Sequence, residues 1–277
     1  MLITFTCLLL HFAAFFVRYD KDEQLTFATY LSLCRCKIQL NNLIIPFGML
    51  LCDNPKPHSA VDVVKLLVSF GVIFYGGCVY VVNAVSDLED DIREKPHRPL
   101  PEGIFRVDHA KCFAIFNFGL GMVSGAALNG MRALRFYSAF MALNLVYSFF
   151  LRGWRSPIVP CAVVTLTAPL RLCMGATFAN GSLPMACYIL TYMVYLAMQL
   201  QRKLVMQKDD AKQPASAKVL PVLVVYVATS IIVGSQLDLT EFRWRLFMTV
   251  YVVSSINYVA LGLIPQTRHI LAAQMQT

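Results

Sequence analysis

The stretch NAVSDLEDDIREKPHRPLPEG, residues 83–103, is the most polar segment of an otherwise apolar chain. Asn83, Asp87 and Asp91 recur in it at intervals of four residues. At about 100° per residue, each step of four drifts by only about 40°, so a helix would carry all three on one stripe. Asp90 lies near the same stripe. The pattern therefore predicts a cluster of carboxamide and carboxylate oxygens at a helix end, followed by a loop that the three prolines keep extended.

The rest of the chain has the composition of a membrane protein. Of its 277 residues, 57% are hydrophobic and 14% charged, whereas soluble domains carry about 25% charged residues. The apolar runs are continuous and not alternating, which favours transmembrane helices over a barrel. The eight predicted spans are residues 38–53, 62–86, 107–128, 132–150, 157–178, 183–202, 219–236 and 244–264.

A ninth hydrophobic segment covers the first 17 residues and lacks both the basic flank and the cleavage site of a secretory signal. We expect a retained helix there, either amphipathic or spanning. The short connections between spans leave no room for a soluble domain. The sequence thus predicts one transmembrane domain over 1–277, with an N-terminal segment and connector (1–35), a helical bundle (38–264) and a tail (265–277).

The basic residues are distributed unevenly across the predicted topology. Seventeen of the 24 lysines and arginines fall on one side and six on the other, which by the positive-inside rule makes that side, with residues 83–103, cytosolic. The net charge of +8 is then a topology signal and argues against a nucleic-acid partner. The nine cysteines show no CxxC or Cys/His metal spacing and are interpreted as buried apolar residues.

Hard oxygen ligands at a helix end are the ligands that Mg²⁺ prefers, together with substrate phosphates. Asn83, Asp87, Asp90 and Asp91 are accordingly predicted metal ligands. Lys95 and Arg98 follow closely and are predicted to bind the phosphates of a diphosphate. The alternative is a solvated loop whose opposite charges pair weakly.

The same residues carry a family resemblance. Asn83, Asp87 and Asp91, followed by KPHRPLPEG at 95–103, resemble the first aspartate-rich motif of the UbiA superfamily of intramembrane prenyltransferases. Ala84 replaces the family's usual aspartate, and the acidic run before KPHRP is closer to fungal members, which include membrane-bound terpene cyclases. The resemblance implies a UbiA-like, all-α bundle of eight to nine transmembrane helices around a central cavity, with Asn83, Asp87 and Asp91 as catalytic residues.

The family's second acidic motif is eroded in this chain. The matching stretch, QRKLVMQKDDAKQPASAKVLPV at 201–222, has only Asp209 and Asp210 as carboxylates. We expect these two to hold a second Mg²⁺ and Lys203, Lys208 and Lys212 to neutralise the diphosphate. An ordinary basic cytosolic loop and a loss of activity are the alternatives.

Arg171 lies within the fifth predicted span, beside Pro169. A charge deep in a bilayer is costly and usually faces a cavity. It is therefore counted among the predicted diphosphate ligands. The alternatives are snorkelling towards a span end and pairing with another helix.

With these features, the resemblance to the UbiA superfamily implies a Mg²⁺-dependent intramembrane enzyme that ionises an isoprenyl diphosphate and transfers the prenyl group to an aromatic or lipid acceptor. A terpene cyclase, in which the substrate's own double bonds capture the cation, is the first alternative. A non-catalytic transporter or lipid-binding protein is the second. The protein is expected to be polytopic in the bilayer with cytosolic active-site loops, in the endoplasmic reticulum if the chain is eukaryotic.

Overall fold

The computed structural model describes residues 30, 33, 43–52, 78–151, 154, 156, 158–179, 181–206 and 215–263. These residues form helices and connecting turns, with no strand among them. Within this part of the chain, two helical stretches are long and apolar enough to cross a membrane, Leu134–Leu151 and Ile158–Phe178. The all-α prediction is thus confirmed for the described residues, and the count of eight to nine spans stays a prediction.

Helices α7 and α8 agree with the predicted spans 183–202 and 219–236 to within four residues at each end. Their bounds are α1 Ile44–Leu50, α2 Cys78–Ser86, α3 Leu88–Glu94, α4 Val107–Val146 with a π-helical turn at Tyr147–Leu151, α5 Ile158–Thr165, α6 Thr167–Phe178, α7 Met185–Met206, α8 Ala215–Gly234 and α9 Phe242–Leu263. The chain divides into two compact units. The first lies within Met1–Leu43 and Pro57–Met141, and the second within Ile44–Lys56 and Ala142–Thr277.

Helix α4 covers two predicted spans, 107–128 and 132–150. Side chains from its first and second halves are in contact. The rings of Phe118 and Tyr137 are 6.2 Å apart, and the Ser138 hydroxyl lies 3.5 Å from the sulfur of Met122. At 1.5 Å per residue, residues 16 to 19 positions apart would be about 24 to 28 Å apart in a straight helix. The chain must therefore reverse direction between Met122 and Tyr137, which agrees with the two predicted spans.

The fifth predicted span is also interrupted, at Leu166 between α5 and α6. The Leu166 amide bonds the Val163 carbonyl at 3.2 Å, a tightened turn, and the Thr167 hydroxyl donates to the Val164 carbonyl at 2.6 Å. Pro169 then falls in the first turn of α6, where its missing N–H costs no helical hydrogen bond. The break therefore places the proline where it costs no helical hydrogen bond of its own.

In the second unit, α1 crosses α6 with the two backbones in contact. A Cβ added at Gly175 would overlap the carbonyl oxygen of Ile45, and one added at Gly48 would lie 2.6 Å from the carbonyl oxygen of Leu172. The approach also brings Phe47 into a stack with Phe247, at 6.2 Å between ring centroids. The two glycines thus allow α1 to join the apolar core of this unit.

Helices α8 and α9 are joined by a reciprocal pair of hydroxyl contacts. The segment YVATS (226–230) on α8 faces YVVSS (251–255) on α9. The hydroxyls of Tyr226 and Ser255 share one hydrogen bond, and those of Ser230 and Tyr251 share another, at 2.5 Å. Each serine hydroxyl also donates to the carbonyl four residues before it, at 2.6 Å in both cases. We call these four side chains the tyrosine–serine clasp. Hydrogen bonds of this kind hold helices together where no water is available.

Replacing Gly175 by alanine should destabilise the second unit by about 1–3 kcal/mol, because the new methyl group meets backbone that cannot rotate away. Gly119 is the matched control, since a Cβ there has no heavy atom within 4 Å. Gly119→Ala should leave stability unchanged or raise it by about 0.5–1 kcal/mol. Thermal unfolding in detergent, followed by circular dichroism, measures both. Equal midpoints for the two variants would contradict the close crossing.

Candidate metal and anion site

The predicted polar stripe is present at the junction of α2 and α3. The backbone amides of Asp87, Asp91 and Lys95 bond the carbonyls of Asn83, Asp87 and Asp91 at 2.9, 2.8 and 2.8 Å. Asp87 departs from ideal helix geometry, with φ −98° and ψ 4°, but the ladder of four-residue steps continues through it. The four residues therefore follow one another at intervals of one helical turn along a single edge.

Two carboxylates of this stripe are buried. Asp87 is 5% exposed and Asp91 2% exposed, while Asn83 is half-buried. The Ser86 hydroxyl lies 3.3 Å from Asp87 Oδ1 and 3.0 Å from the Asn83 carbonyl. A buried carboxylate is costly unless it is paired or binds a metal. The stripe thus faces the interior of the first unit, as expected of a binding site.

Asp91 is paired with cations from the following loop. Arg98 Nη1 lies 2.5 Å from Asp91 Oδ2, and Lys95 Nζ lies 3.8 Å from Asp91 Oδ1. The two basic residues predicted to bind phosphate are therefore brought to the acidic stripe. The spacing of seven residues between Asp91 and Arg98 gave no indication of this direct contact.

The loop that carries Arg98 has a defined backbone. The amides of Glu102, Gly103 and Phe105 bond the carbonyls of Arg98, Leu100 and Pro99 at 2.9, 3.2 and 3.2 Å. Gly103 has φ +83°, a conformation that side-chain-bearing residues seldom adopt. This explains why the KPHRPLPEG motif ends in glycine.

An aromatic cluster anchors the far end of this loop, and the sequence analysis missed it. Phe105, 2% exposed, lies edge-on to Tyr30 at 5.0 Å and to His109 at 5.7 Å between ring centroids. Tyr30 also contacts Phe113, and its hydroxyl shares a hydrogen bond of 3.1 Å with His109 Nε2. Only the apolar character of these residues was visible in the sequence, because Tyr30 and His109 are 79 positions apart.

Asp90 is placed differently from its two neighbours on the stripe. It lies on the exposed side of α3 and pairs with Arg93 at 2.7 Å, with both side chains about two-thirds or more exposed. The structure therefore does not bring Asp90 together with Asp87 and Asp91. Its role as a metal ligand stays a prediction.

Arg171 belongs to the second unit, on α6. It is buried, its Nε donates to the Thr167 carbonyl at 3.1 Å, and its guanidinium lies 5.5 Å from the ring centroid of Tyr195. A cation over an aromatic face is stabilised by the ring's negative π surface. The structure thus accommodates the charge inside the helical unit, and phosphate binding by Arg171 stays a prediction.

The second acidic motif lies largely outside the described residues. This applies to Lys208, Asp209, Asp210 and Lys212. Lys203 falls on α7, but its side chain is not among those described. The predictions for these five residues are therefore untested.

The donors in the first unit fit a hard divalent cation. Asp87 and Asp91 offer carboxylate oxygens and Asn83 an amide oxygen, the ligand types that Mg²⁺ accepts while retaining water and phosphate oxygens. Among the residues that the structure describes, no three His, Cys, Asp or Glu side chains form a ready cage.

Replacing Tyr30 by phenylalanine should loosen the loop while keeping its ring contacts, because it removes only the hydroxyl that bonds His109. Leaving the buried histidine nitrogen without this partner should cost about 1–3 kcal/mol in the free energy of unfolding. Trypsin cleavage after Arg106, at the loop's exposed end, should become several-fold faster. Tyr137→Phe, another buried tyrosine of the same unit, is the control. Equal cleavage in both variants would show that the cluster does not anchor the loop.

Comparison with known proteins matches the chain to one family. The family model for the UbiA prenyltransferase family matches residues 43–275. The chain is 28% identical over 153 residues to digeranylgeranylglyceryl phosphate synthase of Sulfurisphaera tokodaii, covering 55% of this chain and 53% of that one. It is 34% identical over 103 residues to the synthase of Methanocaldococcus jannaschii, covering 36% and 35%. The matched regions thus span about half or less of these relatives.

The fold matches as well. A UbiA homologue from Archaeoglobus fulgidus, solved bound to GPP and Mg²⁺, superposes with a TM-score of 0.67 at 17% identity, covering 84% of this chain and 87% of that one. The family match extends over most of the sequence and includes the acidic stripe and the loop with Arg98. The chain belongs to the UbiA prenyltransferase family.

Proposed function

We propose that this protein is a Mg²⁺-dependent intramembrane prenyltransferase that ionises an isoprenyl diphosphate and transfers the prenyl group to an acceptor. The observation that carries the proposal is the buried pair Asp87 and Asp91, with Arg98 and Lys95 at the second carboxylate. Carboxylates to hold a metal and cations to hold phosphate are thus adjacent. A diphosphate leaving group requires both.

The chemistry follows from charge. Ionisation of an allylic diphosphate builds negative charge on the leaving group, and groups that neutralise this charge accelerate the step. When bound, Mg²⁺ supplies Lewis-acid stabilisation of the phosphate oxygens. Asp87, Asp91 and Asn83 would hold it, and Arg98 and Lys95 would bind the remaining phosphate charge.

The membrane setting suits the organic part of the substrate. The chain is proposed to cross the bilayer eight to nine times, with the acidic stripe and its loop on the cytosolic side, as the distribution of basic residues indicates. An apolar interior would accept the isoprenoid chain and keep water from the allylic cation. Asp209 and Asp210 are proposed to bind a second metal, and Arg171, Lys203, Lys208 and Lys212 to contribute to diphosphate binding.

A lipid is the first acceptor to test. The two similar synthases take their name from the product digeranylgeranylglyceryl phosphate, and the structural neighbour binds GPP with Mg²⁺. The names of the synthases support transfer over the cyclase alternative, whereas bound GPP supports only a prenyl diphosphate substrate, which both reactions share. An aromatic acceptor belongs in the same assay.

The test is turnover of radiolabelled geranyl, farnesyl and geranylgeranyl diphosphates by membranes containing the protein, with and without Mg²⁺ and with and without acceptor. Asp87→Ala and Asp91→Ala should each lower turnover at least about 100-fold, because each removes a group that stabilises charge in the transition state. Glu89→Ala, an exposed acid on the same helix, should retain activity. Asp90→Ala decides whether that residue is a ligand.

The product distinguishes the alternatives. An acceptor-dependent prenylated product supports the proposal. A hydrocarbon formed without acceptor would identify a cyclase, and absence of turnover with every diphosphate would favour the non-catalytic alternative. Full activity in the Asp87 or Asp91 variant would remove the metal assignment.

A further inference from the structure

The Asp91 carboxylate is engaged by cations of its own chain on both oxygens. Oδ2 lies 2.5 Å from Arg98 Nη1, and Oδ1 lies 3.8 Å from Lys95 Nζ. The side chains of Asp91 and Arg98 are 3% and 13% exposed, so this pair lies largely out of water, where opposite charges attract strongly. A metal ion that binds Asp91 must compete with these two cations.

We propose that Asp91 and Arg98 form an ion pair that exchanges partners when ligands bind. A divalent metal replaces Arg98 as the partner of Asp91, and a diphosphate replaces Asp91 as the partner of Arg98, so the two ligands bind cooperatively. The inference rests on the proposed function, because it assigns the metal and the diphosphate to this site. It adds that neither ligand binds strongly here without the other.

The reason is charge balance in a buried site. If Asp91 binds a metal while Arg98 stays in place, a guanidinium is left beside a dication in a poorly screened environment. If Arg98 moves to a phosphate while no metal is present, Asp91 keeps a buried negative charge and loses the guanidinium that lay 2.5 Å from its Oδ2, and removing one partner from a buried pair is strongly unfavourable. When both ligands are present, Asp91 faces the metal and Arg98 faces the phosphate.

The side chain of Arg98 is suited to this exchange. A guanidinium presents a planar fork of donors that fits carboxylate and phosphate oxygens equally well. Its loop is held at the far end by the Phe105 amide bonded to the Pro99 carbonyl at 3.2 Å. The side chain can therefore change partner while the adjacent backbone keeps its anchor.

The exchange is tested by equilibrium binding of Mn²⁺, detected by electron paramagnetic resonance as a stand-in for Mg²⁺, to the purified full chain in detergent. The second ligand is geranyl thiodiphosphate, whose carbon–sulfur bond resists ionisation. In the wild type, the thiodiphosphate should tighten Mn²⁺ binding by roughly 5- to 150-fold, the usual range for coupled sites. Because coupling between two binding equilibria is reciprocal, Mn²⁺ should tighten the binding of the thiodiphosphate by the same factor.

The decisive variant is Arg98→Gln. Because it removes the internal competitor, Mn²⁺ alone should bind about tenfold more tightly than to the wild type. The coupling factor should fall, leaving the part that direct contact between metal and phosphate supplies. Arg93→Gln is the matched control, since it removes one positive charge from α3, the helix that carries Asp91, and breaks an exposed pair with Asp90. It should change neither quantity. In an Asp91→Asn background, Arg98→Gln should have no more effect than Arg93→Gln.

Lys95→Gln gives a second measurement in case Arg98→Gln folds poorly. Lys95 lies further from Asp91 and its side chain is 28% exposed, so the same tightening is expected on a smaller scale. Weaker Mn²⁺ binding in both variants, or equal tightening in Arg93→Gln, would overturn the inference.

The inference and the proposed function fail in different ways. Turnover in the wild type combined with Mn²⁺ affinity that is independent of thiodiphosphate would reject the exchange and leave the prenyltransferase assignment intact. Absence of Mn²⁺ binding under all conditions, together with absence of turnover, would reject both.

Discussion

A negative charge buried in an apolar helical unit must have a partner, and Asp91 shows how this constraint organises the first unit. Its carboxylate is 2% exposed and is reached by Arg98 from the loop that follows. An unpaired charge in such a place would be neutralised or would destabilise the fold. The loop between α3 and α4 is therefore folded onto the helix end, where its arginine meets the acidic stripe.

The architecture around this pair is built from local rules. A ladder of backbone bonds spaces Asn83, Asp87 and Asp91 by one turn, and Gly103 supplies the positive φ that closes the loop. The aromatic contacts of Phe105 with Tyr30 and His109 then fix the loop's end. None of these features is chemically reactive by itself. Together they hold the loop so that the Arg98 side chain lies beside Asp91.

The sequence predicted the parts of this arrangement that depend on periodicity. The stripe on α2 and α3 follows from four-residue spacing, and the reversal within α4 follows from two apolar runs that are together too long for one span. The Asp91–Arg98 contact could not be predicted in the same way, because a proline-rich loop has no period from which its path can be read. Tyr30 was missed for a related reason: its contacts are set by tertiary packing across 79 positions of sequence. Asp90 is exposed although it was predicted near the same stripe, because it lies about 100° around the helix from its buried neighbour Asp91.

The tyrosine–serine clasp sets the axial alignment of the last two described helices. Because Tyr226 meets Ser255 while Ser230 meets Tyr251, sliding α9 along α8 by a single residue would separate both couples simultaneously. The two tyrosine hydroxyls would lose these contacts, whereas each serine keeps its hydrogen bond to the carbonyl four residues before it. The two helices are therefore expected to tilt or rotate as one body and not to shear past each other.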